Sequence, residues 1–158
     1  MEQKVIRLRA YHPTYMVCFF GNQNITTEDH NKLGFNYVYE IFKKTPDTIV
    51  ELVKEFDDIC TGCKKLKKDK NGSVWGKDMS CTSSQREDVV RDVQVSSAKV
   101  LKALDLNYGS RITWKELVKL LSERIPRLED PMIGGEKNQS NYEAGFKILQ
   151  TNNTSKKQ

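Results

Sequence analysis

The residues of this chain best suited to chemistry are its four cysteines, Cys18, Cys60, Cys63 and Cys81. Cys60 and Cys63 form a C-x-x-C pair. A tight loop with that spacing turns two thiols toward one ion or cluster, and it recurs in zinc sites and in iron–sulfur proteins. Alone the pair is a weak signal; it gains from the total of four, the number that a tetrahedral zinc site or a 4Fe–4S cluster requires. Metal ligation needs thiolates, which nearby positive charge favours, and Lys64 and Lys65 follow Cys63 directly. Gly62 permits close backbone approach between the two thiols. Cys81 falls just before a helix expected after Ser84, whose N-terminal dipole suits a thiolate. Cys18 stands apart among Met16, Val17, Phe19 and Phe20, company in which a free cysteine is more often an ordinary buried residue. His12 is a substitute ligand for a Cys3His site, although a polar role near the surface is the preferred reading. A thioredoxin-type use of Cys60 and Cys63 lacks the βαβ context that such chemistry expects.

A chain of 158 residues suits one domain. Its hydrophobic share is 37%, and the shortfall is concentrated in 126–158, rich in Asn, Gln, Ser, Lys and Gly. The formal charge of +5 includes the run Lys64, Lys65, Lys67, Lys68 and Lys70. A phosphate-contacting patch is one reading of that run. No aromatic residues interleave to stack bases, so a solvated loop is preferred. The opening residues carry no secretory pattern, and no apolar run reaches the about 18 residues of a membrane span. A cytoplasmic location is therefore expected. Structural disulfides are rare there, which turns the cysteines toward metal or redox roles.

The elements that must position these residues follow from periodicity. Residues 4–9 (KVIRLR) alternate, with Ile6 and Leu8 on one face, as a half-buried strand does. Residues 15–20 (YMVCFF) form a buried run, read as a helical turn or short helix ending at Gly21-Asn22. Thr26 and Thr27 suit N-caps of a helix bearing Leu33, Tyr37, Ile41 and Phe42, closed by Pro46. Residues 48–53 (TIVELV) read as a second strand pairing with the first, and 57–63 as a turn. Two stronger helices follow. The first starts near Ser84 and Glu87, with Val90, Val93, Ser97, Val100, Leu101 and Leu104 in one stripe. The second starts at Thr113 and Glu116, with Trp114, Leu117, Val118 and Leu121 inward, and ends at Pro126. In 134–158, Tyr142, Phe146, Ile148 and Leu149 allow a short helix, and a mobile tail is equally open.

Along residues 5–125 the chain resembles the DUF1284 family, small prokaryotic proteins proposed to bind iron–sulfur. The resemblance rests on Ile6-Arg7-Leu8-Arg9, on Cys18 followed by an aromatic and Gly21, and on TIVELV. It continues through Asp57-Asp58-Ile59-Cys60-x-x-Cys63, Cys81, and the stretch from Val100-Leu101-Lys102-Ala103-Leu104 to Ile112-Thr113-Trp114. It implies that all four cysteines belong together, which makes Cys18 a ligand. It supplies no activity. Relatives usually carry a His-His pair before the first cysteine, and the corresponding Tyr11-His12-Pro13-Thr14-Tyr15 has lost it.

The expected fold is mainly α with a minor β element (α+β): three or four helices, a short two-stranded β pair and a cysteine metal loop. A metal-binding domain over 1–125 precedes a polar extension over 126–158. The expected function is an iron–sulfur centre on Cys18, Cys60, Cys63 and Cys81, for electron transfer, redox sensing or structure, with a protein or redox partner. The alternative is structural zinc in a nucleic-acid or protein interaction module. The link 105–112 is longer than a helix-turn-helix turn and the adjoining helix mixes charge signs, which disfavours nucleic acid. No nucleophile–base pair, phosphate loop or HExxH is present, and Asp57 and Asp58 read as loop caps rather than a carboxylate pair.

Overall fold

The computed structural model describes residues 2–25, 32–54, 57–60, 87–128 and 136–154. Among them the chain runs β1 (Val5–Arg9), α1 (His12–Gly21), a 3-10 turn (Gln23–Ile25), α2 (Lys32–Lys44) and β2 (Ile49–Val53). It continues through α3 (Glu87–Leu104), β3 (Arg111–Thr113), α4 (Trp114–Arg124) and α5 (Glu136–Thr154). The α+β class holds, but five helices stand where three or four were expected, and a three-stranded sheet where a pair was expected. No cysteine metal loop is seen among the described residues. Residues 61–86, with Cys63 and Cys81, lie outside them, as do the lysine run and the caps assigned to Thr26, Thr27 and Ser84.

β1 and β2 are parallel, with Val5 opposite Ile49 and Arg9 opposite Val53. Parallel neighbours need a crossover, which α1 and α2 supply. Ile6, Leu8, Val50 and Leu52 alternate inward and are buried. The third strand is antiparallel to β2, Glu51 facing Arg111. Three residues are too few to display a period, so β3 escapes detection in the sequence. Its partner makes it a strand: the Gly109 N–H donates to the Leu52 carbonyl at 2.7 Å and the Leu52 N–H to the Ser110 carbonyl at 3.0 Å. The Arg111 guanidinium also pairs with Glu51 across the strands at 2.8 Å.

The YMVCFF run is part of a helix. Pro13 sits in its first turn, where a missing N–H leaves no bond unmade, and Met16, Val17, Cys18, Phe19 and Phe20 are all buried. Of the expected α2 stripe, Phe42 is buried and Ile41 packs partly buried against the core, while the Leu33 side chain lies outside those described. Phe35, Val38 and Phe42 are buried, and Tyr37 is 49% exposed. Phe42 lies flat on Trp114, ring centroids 4.3 Å apart and planes 7° from parallel. Tyr37 instead lies beneath the Lys4 ammonium, 4.9 Å from the ring centre.

In α3, Ser97, Val100, Leu101 and Leu104 are buried as expected. The same holds for Trp114, Leu117, Val118 and Leu121 in α4. The capping box at the start of α4 closes in both directions. The Glu116 N–H donates to the Thr113 hydroxyl at 3.2 Å, and the Thr113 N–H to the Glu116 carboxylate at 3.3 Å.

The C-terminal stretch left open between helix and tail forms α5, a helix of 19 residues. Tyr142, Phe146 and Leu149 are buried; Ile148, counted with them in the sequence, is 41% exposed. The Tyr142 hydroxyl donates to the Ile125 carbonyl at 2.8 Å, and the Leu128 N–H donates to the Gln139 side chain at 2.8 Å, tying α5 to the end of α4. No helix of the described residues is long and apolar enough to cross a membrane.

Thr113→Ala removes one half of the capping box and is expected to lower the stability of the chain by about 1 kcal/mol in urea unfolding. An unchanged midpoint would show that the box contributes nothing measurable.

Candidate functional site

Because β1 and β2 run side by side in the same direction, the residues that follow them emerge at the same edge of the sheet. Open sheets with parallel strands build sites at that carboxyl edge. Here β1 delivers Arg9, Tyr11 and His12, and β2 delivers Asp57, Asp58 and Cys60.

Asp57 is the centre of the group. It is wholly buried, and donors from β1, α1 and the turn reach its carboxylate. One oxygen, Oδ2, accepts the Arg9 N–H at 2.7 Å and contacts Nδ1 of His12. The other, Oδ1, accepts the Ile59 N–H at 3.1 Å, the Cys60 N–H at 3.2 Å and the Cys60 thiol at 3.2 Å. Asp58 repeats the pattern one step back along the strand. It accepts the Arg7 N–H at 2.7 Å and returns its own N–H to the Arg7 carbonyl at 3.0 Å. The two acids therefore close the free edge of β1, the loop-capping role expected of them rather than a paired-carboxylate site.

His12 corrects its sequence reading: it is only 8% exposed, not a surface residue. Its ring lies among Tyr11, Tyr15 and Phe35, with centroids 4.5, 6.3 and 6.2 Å away. Proline at the next position starts α1 here, so the helix turns the imidazole back over the strand ends toward Asp57.

The electrostatics of the group are set by burial. Desolvation alone would raise the Asp57 pKa. The facing imidazole and the donors from His12, Arg9 and Cys60 outweigh it and hold the carboxyl below its usual range. The Cys60 thiol moves up, first from burial and then from the adjacent Asp57 charge, with Arg9 opposing. Burial pushes the Tyr11 hydroxyl up as well, although Arg9 bonds to it and pulls the other way. Cys60 is thus a protonated thiol donating to a carboxylate, a poor nucleophile until something replaces its proton. Lys64 and Lys65, expected to favour thiolate at Cys63, lie outside the described residues, as do Cys63 and Cys81.

The structure does not bring Cys18 to this group. Cys18 follows His12 by six residues on α1, about 9 Å along the axis and about 120° around it. Its thiol is fully buried, donates to the Asn138 carbonyl of α5 at 3.8 Å, and is pushed up to about 12 by burial. Cys18 is thus set at a different level and on a different face of α1 from His12. His12 has its Nδ1 engaged on one oxygen of Asp57, whose other oxygen takes the Cys60 thiol. Among the described residues no group of His, Cys, Asp and Glu side chains is placed to hold a metal ion.

The family model for a protein of unknown function (DUF1284) matches residues 31–130, well over half of the sequence. The chain belongs to the DUF1284 family. No curated protein matches it, and no solved structure does. Within this DUF1284 chain the match includes Asp57, Cys60, Cys63 and Cys81, whereas β1, α1 with Cys18, and α5 fall outside it.

Arg9, Tyr11 and the buried state of His12 were not picked out as site residues in the sequence. The available signal was two strands whose parallel pairing would bring their C-terminal ends together. An open groove of about 610 Å³ lies at the other end of these strands, lined by Gln3, Lys4, Tyr37 and Thr48, away from the Asp57 group.

Asp57→Asn is expected to destabilise the fold by about 3 kcal/mol or more, because it removes one partner from a buried charged group. The Asp57 carboxyl is lowered in the folded state. Its contribution is therefore present above its unfolded value of about 3.9 and is lost as pH falls through the lower folded value. Urea midpoints from pH 7 to pH 2 check this: the acid loss should shrink in Asp57→Asn, and an identical loss in both proteins would assign it to other carboxylates.

Proposed function

We propose that this DUF1284 chain binds a metal centre through cysteine thiolates, with Cys60 as the anchored ligand, Cys63 and Cys81 as its companions, and a donor other than cysteine at the fourth position. The observation that supports the reading is the place of Cys60. Its N–H and thiol are both held on Asp57, and Asp57 is tied in turn to β1 and α1. The first thiol of the C-x-x-C pair is thus carried on a rigid frame at the carboxyl edge of two parallel strands. Such support is what a first ligand needs for its geometry to be held in advance. A metal ion would displace the thiol proton that Asp57 accepts, so uptake and deprotonation are one event.

An iron–sulfur cluster is favoured over zinc on the family resemblance; the thiolates suit both metals. A redox or structural role follows more readily than catalysis, since the described side chains offer no activated nucleophile beside Cys60.

Protein purified without oxygen decides the reading through its iron, zinc and acid-labile sulfide content and its visible spectrum. Iron and sulfide in comparable amounts, with colour that bleaches on reduction, are expected, and Cys60→Ser, Cys63→Ser and Cys81→Ser should each lose most of the metal. Zinc at one per chain without colour keeps the site and changes the metal. Folded protein holding neither metal would refute the proposal.

A further inference from the structure

We infer that α1 and α5 form a clasp that removes Cys18 from metal chemistry, so that any metal in this chain is bound without that thiol. The inference extends the metal-binding reading but rests on packing that exists with or without metal. It departs from the ligand set that the family resemblance implies.

The clasp is a contact of backbone on backbone, made possible by two glycines. A Cβ on Gly21 would lie 2.0 Å from the Asn141 carbonyl oxygen, and one on Gly145 would lie 1.9 Å from the Val17 carbonyl oxygen. Both positions therefore exclude every side chain, and the two helices approach as closely as their main chains allow. Cys18 sits in this seam, its thiol on the Asn138 carbonyl one helix away. Val17 and Phe19 beside it are fully buried, and Tyr142 closes the far side with its hydroxyl held by Ile125. Turning Cys18 toward Cys60 would require α1 to rotate, carrying Val17, Phe19 and Phe20 out of the core and pulling His12 from Asp57.

Two measurements on the full chain test this. In protein purified without oxygen, Cys18→Ala should keep the metal content and visible spectrum of the parent. Iodoacetamide labelling read by mass spectrometry should modify native Cys18 more than about 100-fold more slowly than in the urea-unfolded chain, since labelling must await opening of the seam. Gly145→Ala should abolish most of that protection; if it fails to fold, Tyr142→Phe, which only removes the bond to Ile125, should raise the labelling rate in a folded protein. Loss of metal in Cys18→Ala comparable to the loss in Cys60→Ser would overturn the inference while upholding metal binding. If the parent holds no metal, the functional reading fails and labelling alone decides: protected Cys18 upholds the clasp, and labelling as fast as at Cys60 overturns it.

Discussion

Taking a carboxylate out of water costs several kcal/mol, and Asp57 is taken out entirely. The chain offsets that cost with charge-assisted hydrogen bonds, each contributing about 1.5–3 kcal/mol. Their sources give the arrangement its importance. The Arg9 N–H belongs to β1, the imidazole of His12 to the start of α1, and the N–H groups of Ile59 and Cys60 to the turn itself. One buried charge thus fixes the strand edge, the helix entry and the turn relative to each other. Without it, the strand edge, the helix entry and the turn would lose the acceptor they share.

The two described cysteines show how differently burial can act on the same side chain. Cys60 ends a turn at the sheet edge, and its thiol proton is held by a carboxylate that a cation could relieve of it. Cys18 is buried on α1, and its thiol donates to a main-chain carbonyl of α5. Desolvation raises both, yet only Cys60 has beside it a group that responds to positive charge. Thiol chemistry at the strand ends and thiol packing under α5 are therefore compatible in one small domain.

Attachment of α5 answers how a polar segment finds a stable place. Its apolar residues are few, but at Gly21 and Gly145 nothing separates its main chain from that of α1. Close backbone approach gathers many weak dispersion contacts without large side chains. Tyr142 adds bulk in the core while keeping its hydroxyl bonded. Such a helix is nearly invisible to a reading that counts hydrophobic residues.

The sequence by itself determined the local elements whose signals repeat or punctuate: the alternation of Ile6 and Leu8, the capping box of Thr113 and Glu116, and the α4 face of Trp114, Leu117, Val118 and Leu121. It also marked Asp57 and Asp58 as caps. The tertiary structure alone decided matters that depend on what an element meets. Phe35 went inward against the rings of His12, Tyr15 and Phe19 on α1. Residues 111–113 became a strand because β2 lay open beside them. His12 became buried because two parallel strands delivered it and Asp57 to one place. Periodicity records which faces of a segment are apolar, whereas a partner 45 residues away in the chain or a backbone contact through glycine leaves no period to read.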